Sequence, residues 1–211
     1  LDVDQELSQI VVLELITAKN REAIRTLYRI AKPGVQWGTN TQGVIDVQND
    51  TNGRWMEEKF KGLHYILARE ANVISRETRR GRGNVLVCSS DVAEALAFAG
   101  KLTYAPEFNT HLGNVDDTGN TFLGILNGRY KVFIDPFFGG SNSGNELLFI
   151  GYKGSQAYDC GAHWCEYVPL MMSRAVNYNS FNPTFGFKTR YGLIGNPFYG
   201  ATPGALTTDT N

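Results

Sequence analysis

The sequence contains no apolar run of the ~18 residues a helix needs to cross a bilayer. Its most apolar stretch, Ile10 to Ile16, is interrupted by Glu14, so no membrane partner is expected. It also lacks an excess of charge of either sign. Twenty Lys and Arg against 21 Asp and Glu leave a formal charge of -1 and a pI near 6.4. Nothing in that balance forms a basic footprint for nonspecific nucleic-acid binding. Three cysteines (Cys88, Cys160, Cys165) are too few, and odd in number, for a disulfide framework. They suggest a reducing compartment, with cytoplasm as the default. There is no GxSxG elbow, Walker-type GxxxxGK or EF-hand loop, so no cofactor or catalytic machinery is announced. No internal repeat and no alternating βαβ series occurs.

What is present is enough apolar matter for a core. With 211 residues, 42% hydrophobic and 12% aromatic, one folded unit of lobed shape is expected. Asp2 and Gln5 read as an N-cap and its capping-box partner, and Leu7, Ile10, Val11, Leu15 and Ala18 keep helical spacing. The pattern continues through Ile24, Leu27, Tyr28 and Ala31 until Lys32-Pro33-Gly34 stops it. That predicts a helix of about 28 residues, roughly 40 Å long. A helix apolar over so broad a face must lie along an extended sheet or along neighbouring subunits. Leu1 stands close to this helix, so any native leader is expected to lie outside the chain.

Residues 35–53 read as a polar loop with one embedded strand, Gly43 to Val47. A second long helix is expected from Met56 to Arg79, with Phe60, Leu63, Leu67, Ala71, Ile74 and Thr78 stepping by three or four and Gly81 and Gly83 as its stop. Asn84 to Cys88 reads as a strand, followed by a helix capped by Ser89, Ser90 and Asp91 and ended by Gly100. After a polar loop, Thr103 to Asn120, the strands Phe122–Ile125 and Tyr130–Ile134 flank the hairpin signal Asn127-Gly128. Another strand is expected over Leu147–Tyr152, past a flexible Gly139 to Gly144 stretch. Two more, Tyr167–Val176 and Phe185–Ile194, are joined by a turn at Asn182-Pro183. Beyond Ala201 the tail reads as frayed. The fold class is α+β.

Each chemical candidate has a plainer reading. Cys160, His163 and Cys165, with Asp159 beside them, suggest a metal site, but structural zinc wants four ligands at CxxC-type spacing and Cys88 is distant. Ordinary packing at a strand edge is preferred, with no metal and no cofactor. A Cys/His nucleophile would need His64, His111 or His163 delivered by the fold, which no spacing predicts. His64 reads instead as a partly buried helix residue and His111 as a loop residue. Arg79-Arg80-Gly81-Arg82-Gly83-Asn84 could cradle a phosphate, but Arg and Gly also suit a helix C-terminus. Asp116-Asp117 before Gly119-Asn120 reads as turn chemistry. The competing readings are a metal-binding enzyme using Cys160, His163 and Cys165, and a nucleic-acid module using Arg79 to Arg82. Stoichiometric zinc lost on Cys165→Ser would favour the first, and salt-sensitive DNA retention the second. No catalytic residue stands out, and the chain is not expected to be an enzyme.

The feature left to explain is an aromatic-rich C-terminal region containing Tyr167, Tyr178, Phe181, Phe185, Phe187, Tyr191, Phe198 and Tyr199. Such density suits a core sheet or a protein interface. Within it, Phe181-Asn182-Pro183, Gly186-Phe187-Lys188-Thr189-Arg190-Tyr191-Gly192 and Asn196-Pro197-Phe198 closely resemble the C-terminal region of T4-type tailed-phage (myovirus) major capsid proteins. Glu6-Leu7-Ser8-Gln9-Ile10 resembles the start of that family's spine helix, and Arg54-Trp55 with Phe60-Lys61 the entry to its next helix. Gly81-Arg82-Gly83-Asn84, Gly128-Arg129-Tyr130-Lys131-Val132 with Ile134-Asp135, and Gly151-Tyr152-Lys153-Gly154 follow in the family's order. The sequence departs from the family at Cys160 to Glu166, in a pattern that favours packing over metal. It also departs in the loops Thr103 to Asn120 and Gly139 to Asn145, which suit tolerant surface positions.

The resemblance implies the Hong Kong 97-type capsid fold with a long spine helix. Residues 1–33 would be the spine helix of a peripheral domain, 34–160 an axial domain, and 161–211 the peripheral strands and a flexible tail. It further implies that the family's N-terminal arm, extended loop and last segment lie outside this chain, which alone would not close shells. The implied role is a structural head-shell subunit that self-assembles into hexameric capsomers enclosing DNA, made in the bacterial cytoplasm and located in the virion. Its partners would be copies of itself, with vertex, scaffold, portal and decoration proteins, and no specific nucleic acid. Arg174, Lys188, Arg190 and Tyr191 are the expected subunit-contact residues.

Overall fold

The computed structural model describes residues 3–35, 43–47, 55–100, 102–104, 121–135, 137 and 146–195. The element order is α1 (Val3–Ile30), α2 (Met56–Thr78), β1 (Val85–Cys88), α3 (Ser90–Phe98), β2 (Leu102–Tyr104), β3 (Thr121–Leu126), β4 (Tyr130–Ile134), β5 (Leu148–Gly151), β6 (Ala162–Val176) and β7 (Pro183–Gly195). Strands β1 to β5 form one sheet in the order β2-β3-β4-β1-β5, and β6 and β7 form a separate two-stranded ribbon. β1 and β4 are parallel, while the other pairs are antiparallel. The expected α+β class is therefore observed as a mixed sheet with helices and a detached ribbon.

The main core forms where α2 and α3 cover the five-stranded sheet. Leu63, Leu67 and Ala71 recur every four residues along α2 and are buried against Leu86 and Cys88 of β1, Ala93 and Leu96 of α3, and Leu123, Leu126, Tyr130 and Val132 of β3 and β4. Burying a leucine fully contributes ~1.5–3 kcal/mol, so this cluster dominates the stability of the sheet half. His64 is buried on the same helix, more deeply than its sequence position suggested. The Asn127-Gly128 hairpin forms as expected. Both residues have positive φ (52° and 65°), and the Arg129 N–H donates to Leu126 O at 3.1 Å, the geometry whose twist matches flanking strands.

Several expectations change. Gly43 to Val47 is not a strand. Gly43 adopts φ 82° and its N–H donates to Gly34 O at 2.9 Å, and no strand edge pairs with residues 43–47 among the described residues. Thr103 and Tyr104 belong to β2 rather than to a loop, because β3 supplies their antiparallel partners Ile125 and Gly124. Arg79, not glycine, ends α2. It takes the left-handed conformation (φ 55°, ψ 23°), and its N–H donates to Ser75 O. Gly81 is needed for space instead, since a Cβ there would sit 2.3 Å from the Tyr152 ring.

The ribbon is longer than its apolar pattern showed. β6 begins at Ala162, and the register slips between Glu166 and Val168 and again between Val168 and Met171. Pro169 falls in this bulged stretch, where a residue without an N–H is tolerated. The turn spans Asn177 to Asn182, with Asn177 N–H to Asn182 O at 3.0 Å and Phe181 at φ 53°, while Pro183 already pairs with Val176. Asp2, His111, Asp116, Asp117, the Gly139 to Gly144 stretch, Asn196 to Phe198 and the tail lie outside the described residues.

Candidate assembly interface

α1 runs along one face of the ribbon and is fixed there by a compact polar and aromatic cluster. The Trp164 and Tyr191 rings stack with centroids 4.7 Å apart and planes inclined by 21°. The Lys19 ammonium lies 5.0 Å from the Trp164 centroid and 5.3 Å from that of Tyr191, and it pairs with Glu166. Tyr191 OH donates to Glu22 Oε2 at 2.5 Å, a bond that holds the phenol pKa above its ordinary value. At the far end Ile30 packs on Gly195, where a Cβ would approach within 2.8 Å. Lys19 and Glu22 stand three residues apart on α1, so one helix face delivers both groups.

This docking sorts the expected contact residues. Along β7 burial alternates with a period of two: Phe185, Phe187, Thr189, Tyr191 and Leu193 are half-buried, while Thr184, Gly186, Lys188, Arg190 and Ile194 are exposed. Tyr191 thus faces α1 and is engaged within the chain. Lys188 and Arg190 share the opposite, outward face, beside their cross-strand partners Met171 and Val168. Arg174 pairs across the ladder with Phe185, its guanidinium carbon 5.6 Å from the ring centroid.

Two apolar surfaces stay open to solvent. On the N-terminal half of α1, Leu7 and Ile10 are 56% and 62% exposed, with Val11, Leu13 and Leu15 beside them. At the far end of the ribbon, Tyr178 and Phe181 are 94% and 84% exposed, and Val176, Met171 and Met172 along β6 are each more than half exposed, the two methionines on opposite faces. Scattered exposed apolar residues are ordinary, but contiguous ones on elongated elements mark interaction surfaces. A two-stranded ribbon is also only marginally stable without a covering layer.

The other candidates resolve into structural contacts. Cys160 Sγ lies 3.4 Å from His163 Nδ1 and 3.0 Å from Ala162 O. Cys165 is exposed on β6 opposite Gly192, and no group of three or more metal-ligating side chains converges among the described residues. Arg80 Nη1 donates to Asp159 Oδ1 at 3.0 Å, and Tyr152 OH donates to Asp159 Oδ2 at 2.8 Å. The Tyr152 bond, and then Arg80, hold the Asp159 carboxyl below its usual range. Arg82 Nη2 donates to Tyr130 OH at 3.0 Å. Arg80 and Arg82 are thus turned to protein partners rather than gathered around an anion.

Cys88 is buried, and desolvation pushes its thiol up to about 12. At ~pH 8 its thiolate fraction would be about 10⁻⁴. A thiol-titrating reagent should therefore label Cys165 readily and Cys88 only on denaturation; equal labelling of both in the folded protein would contradict the burial.

The family model described as "Major capsid protein Gp23" matches residues 1–211. The chain belongs to the Gp23 major capsid protein family. Relatives named major capsid protein include those of Salmonella phage ViI, 45% identical over 93% of this chain and 43% of the relative, and Vibrio phage KVP40, 37% identical over 97% and 40%. That of Enterobacteria phage T4 is 35% identical over 94% of this chain and 39% of its own length. The chain thus spans about two fifths of the length of these curated relatives.

Within this Gp23-family chain, sequence reasoning missed Lys19, Glu22, Trp164 and Glu166, the residues that seat α1 on the ribbon. The i, i+3 spacing of Lys19 and Glu22 was visible. Their partners lie 147 and 169 residues away in the chain, a pairing no local pattern encodes.

Proposed function

We propose that the chain is the part of a phage major capsid protein that builds the head shell, a structural subunit without catalytic function. In this reading it adopts the Hong Kong 97-type fold. Residues 1–33 and 161–211 form the peripheral domain, as the seating of α1 on the β6–β7 ribbon supports, and residues 34–160 form the axial domain around the five-stranded sheet. Copies of the protein assemble into hexameric capsomers of a closed head around DNA, after synthesis in the host cytoplasm. Scaffold, portal, vertex and decoration proteins are its further partners.

The observation that carries this reading is the pair of apolar surfaces on α1 and the ribbon, which no described part of the chain covers. Closed shells need heterologous contacts that form rings and further contacts that join rings, and elongated elements with an uncovered second face suit both. Arg190 and Lys188, outward on β7, are the charged side chains placed to select a neighbour, and Arg174 beside Phe185 is a third. Tyr191 supports the contact indirectly by holding the ribbon on α1.

The test is Arg190→Glu in the full-length protein during infection. Reversing a charge at a desolvated contact costs ~2–5 kcal/mol, so head yield by electron microscopy should fall at least tenfold while the unassembled protein remains folded. Heads of normal number and shape would remove Arg190 from the interface.

A further inference from the structure

Parallel strands β1 and β4 end side by side. The Asp135 N–H donates to Cys88 O at 3.0 Å, and Ser89 leads directly from Cys88 into α3. Ser89 and Asp135 are 0% and 1% exposed. Asp135 Oδ1 accepts the Phe137 N–H at 3.0 Å, but Asp135 Oδ2 and Ser89 Oγ, both buried, have no hydrogen-bond partner among the described residues. Buried polar atoms are nearly always paired, and two orphans on adjacent strand ends are a structural demand for a donor.

The donors available are on α1. Arg21 and Arg25 are the cations that act on the Asp135 carboxyl, opposing the burial that raises its pKa. Arg21 already lies against Phe137, its guanidinium carbon 5.4 Å from the ring centroid, and Phe137 is the residue whose amide holds Oδ1. A cleft of about 400 Å³ between α1 and Phe137 is lined by Arg21, Arg25 and Arg29 and gives the side chains room to swing. No ion pair joins Asp135 to Arg21 or Arg25 among the described residues. Ser89 reaches the site as the residue preceding α3, while the acidic side chain in the first turn of that helix, Asp91, is exposed.

We propose that Asp135 and Ser89 form a guanidinium-binding site, and that Arg21 or Arg25 of α1 enters it to latch the helix to the end of the five-stranded sheet. The open arrangement described above is one state, and the closed state pairs the guanidinium with Oδ2. Such a latch would make the placement of the ribbon-bearing helix relative to the sheet switchable.

The latch predicts a pH signature of definite sign. In the open state burial raises the Asp135 pKa, so ionised Asp135 weakens the fold as pH rises through the carboxylate range. Closure reverses this, because an arginine partner lowers the pKa, and the contribution is then present at neutral pH and lost on acidification. The experiment uses unassembled full-length protein carrying Arg21→Gln and Arg25→Gln together, both exposed positions that tolerate substitution. Its thermal midpoint should fall by about 3 °C near pH 7.5 and match the parent only at ~pH 2.5, below the lowered carboxylate pKa of the latched state. On an Asp135→Asn background the same pair should shift nothing at either pH. An equal shift with and without the carboxylate, or no shift at all, would overturn the proposal. If Asp135→Asn does not fold, the pH comparison on the arginine pair alone decides: a shift independent of pH sinks the latch.

Discussion

Gly124→Ala should destabilise the unassembled full-length protein by about 3 kcal/mol, the scale of a clash that a well-packed interior cannot absorb. Gly124 is buried on β3 at the irregularity between Phe122 and Gly124, opposite β2. A Cβ there would lie 2.2 Å from Thr103 O and 2.9 Å from Tyr104 Cα, both backbone atoms of β2. No rotamer change relieves a contact with backbone, so the edge strand must move away. Leu102, partly buried against the core, would move with it. Gly128→Ala is the informative control. Gly128 has φ 65° with nothing within 4 Å of a built Cβ, so alanine pays only the left-handed backbone penalty of ~1–2 kcal/mol. Urea denaturation should rank the two variants in that order. Equal midpoints would mean that β2 does not press on β3 as described.

The opposite combination, normal folding with failed assembly, is expected for Leu7→Asp with Ile10→Asp. Both side chains are more than half exposed on α1, and substitutions at exposed sites away from caps and networks usually change stability by within ~0.5 kcal/mol. At an intersubunit contact the same change buries two carboxylates in an apolar surface without partners, costing several kcal/mol per contact. Repeated around a ring, that loss should abolish closed shells entirely. Negative-stain microscopy would show none, while circular dichroism and the thermal midpoint of the unassembled protein stay close to the parent's. Intact shells would mean that the exposed face of α1 is not covered in the head. Together with Arg190→Glu, the pair separates the α1 face from the outward face of β7.

Most individual elements were legible because their signals are local. The 28-residue span of α1 followed from apolar spacing ended by Pro33-Gly34, and Asn127-Gly128 marked its hairpin through the positive φ both residues adopt. The errors share a cause. Gly43 to Val47 looked like a strand because its residues suit one, but a strand exists only where a partner edge runs beside it. Thr103 and Tyr104 looked like loop because only β3, across residues outside the described set, makes them a strand. The N-terminal part of β6, Ala162 to Glu166, was not read as strand because its ladder exists only through pairing with Tyr191 to Gly195 of β7, and no local pattern supplies that partner.

The proposed interface was legible only in outline. Aromatic density after Tyr167 suggests a contact region, and of the four residues expected to make contacts Lys188 and Arg190 lie exposed on one face of β7 while Tyr191 turns to α1. The sequence alone determined the helices, the hairpin, the apolar core positions of α2 and the motifs that carry membership of the Gp23 family, since all of these depend on residues close together along the chain. Tertiary structure alone decided that Tyr191 turns inward to Glu22, that Lys19 bridges to Glu166, and that Asp135 stands buried before two arginines of α1. Those outcomes depend on which distant faces meet, and a face is selected by the whole packing arrangement rather than by any segment's own pattern.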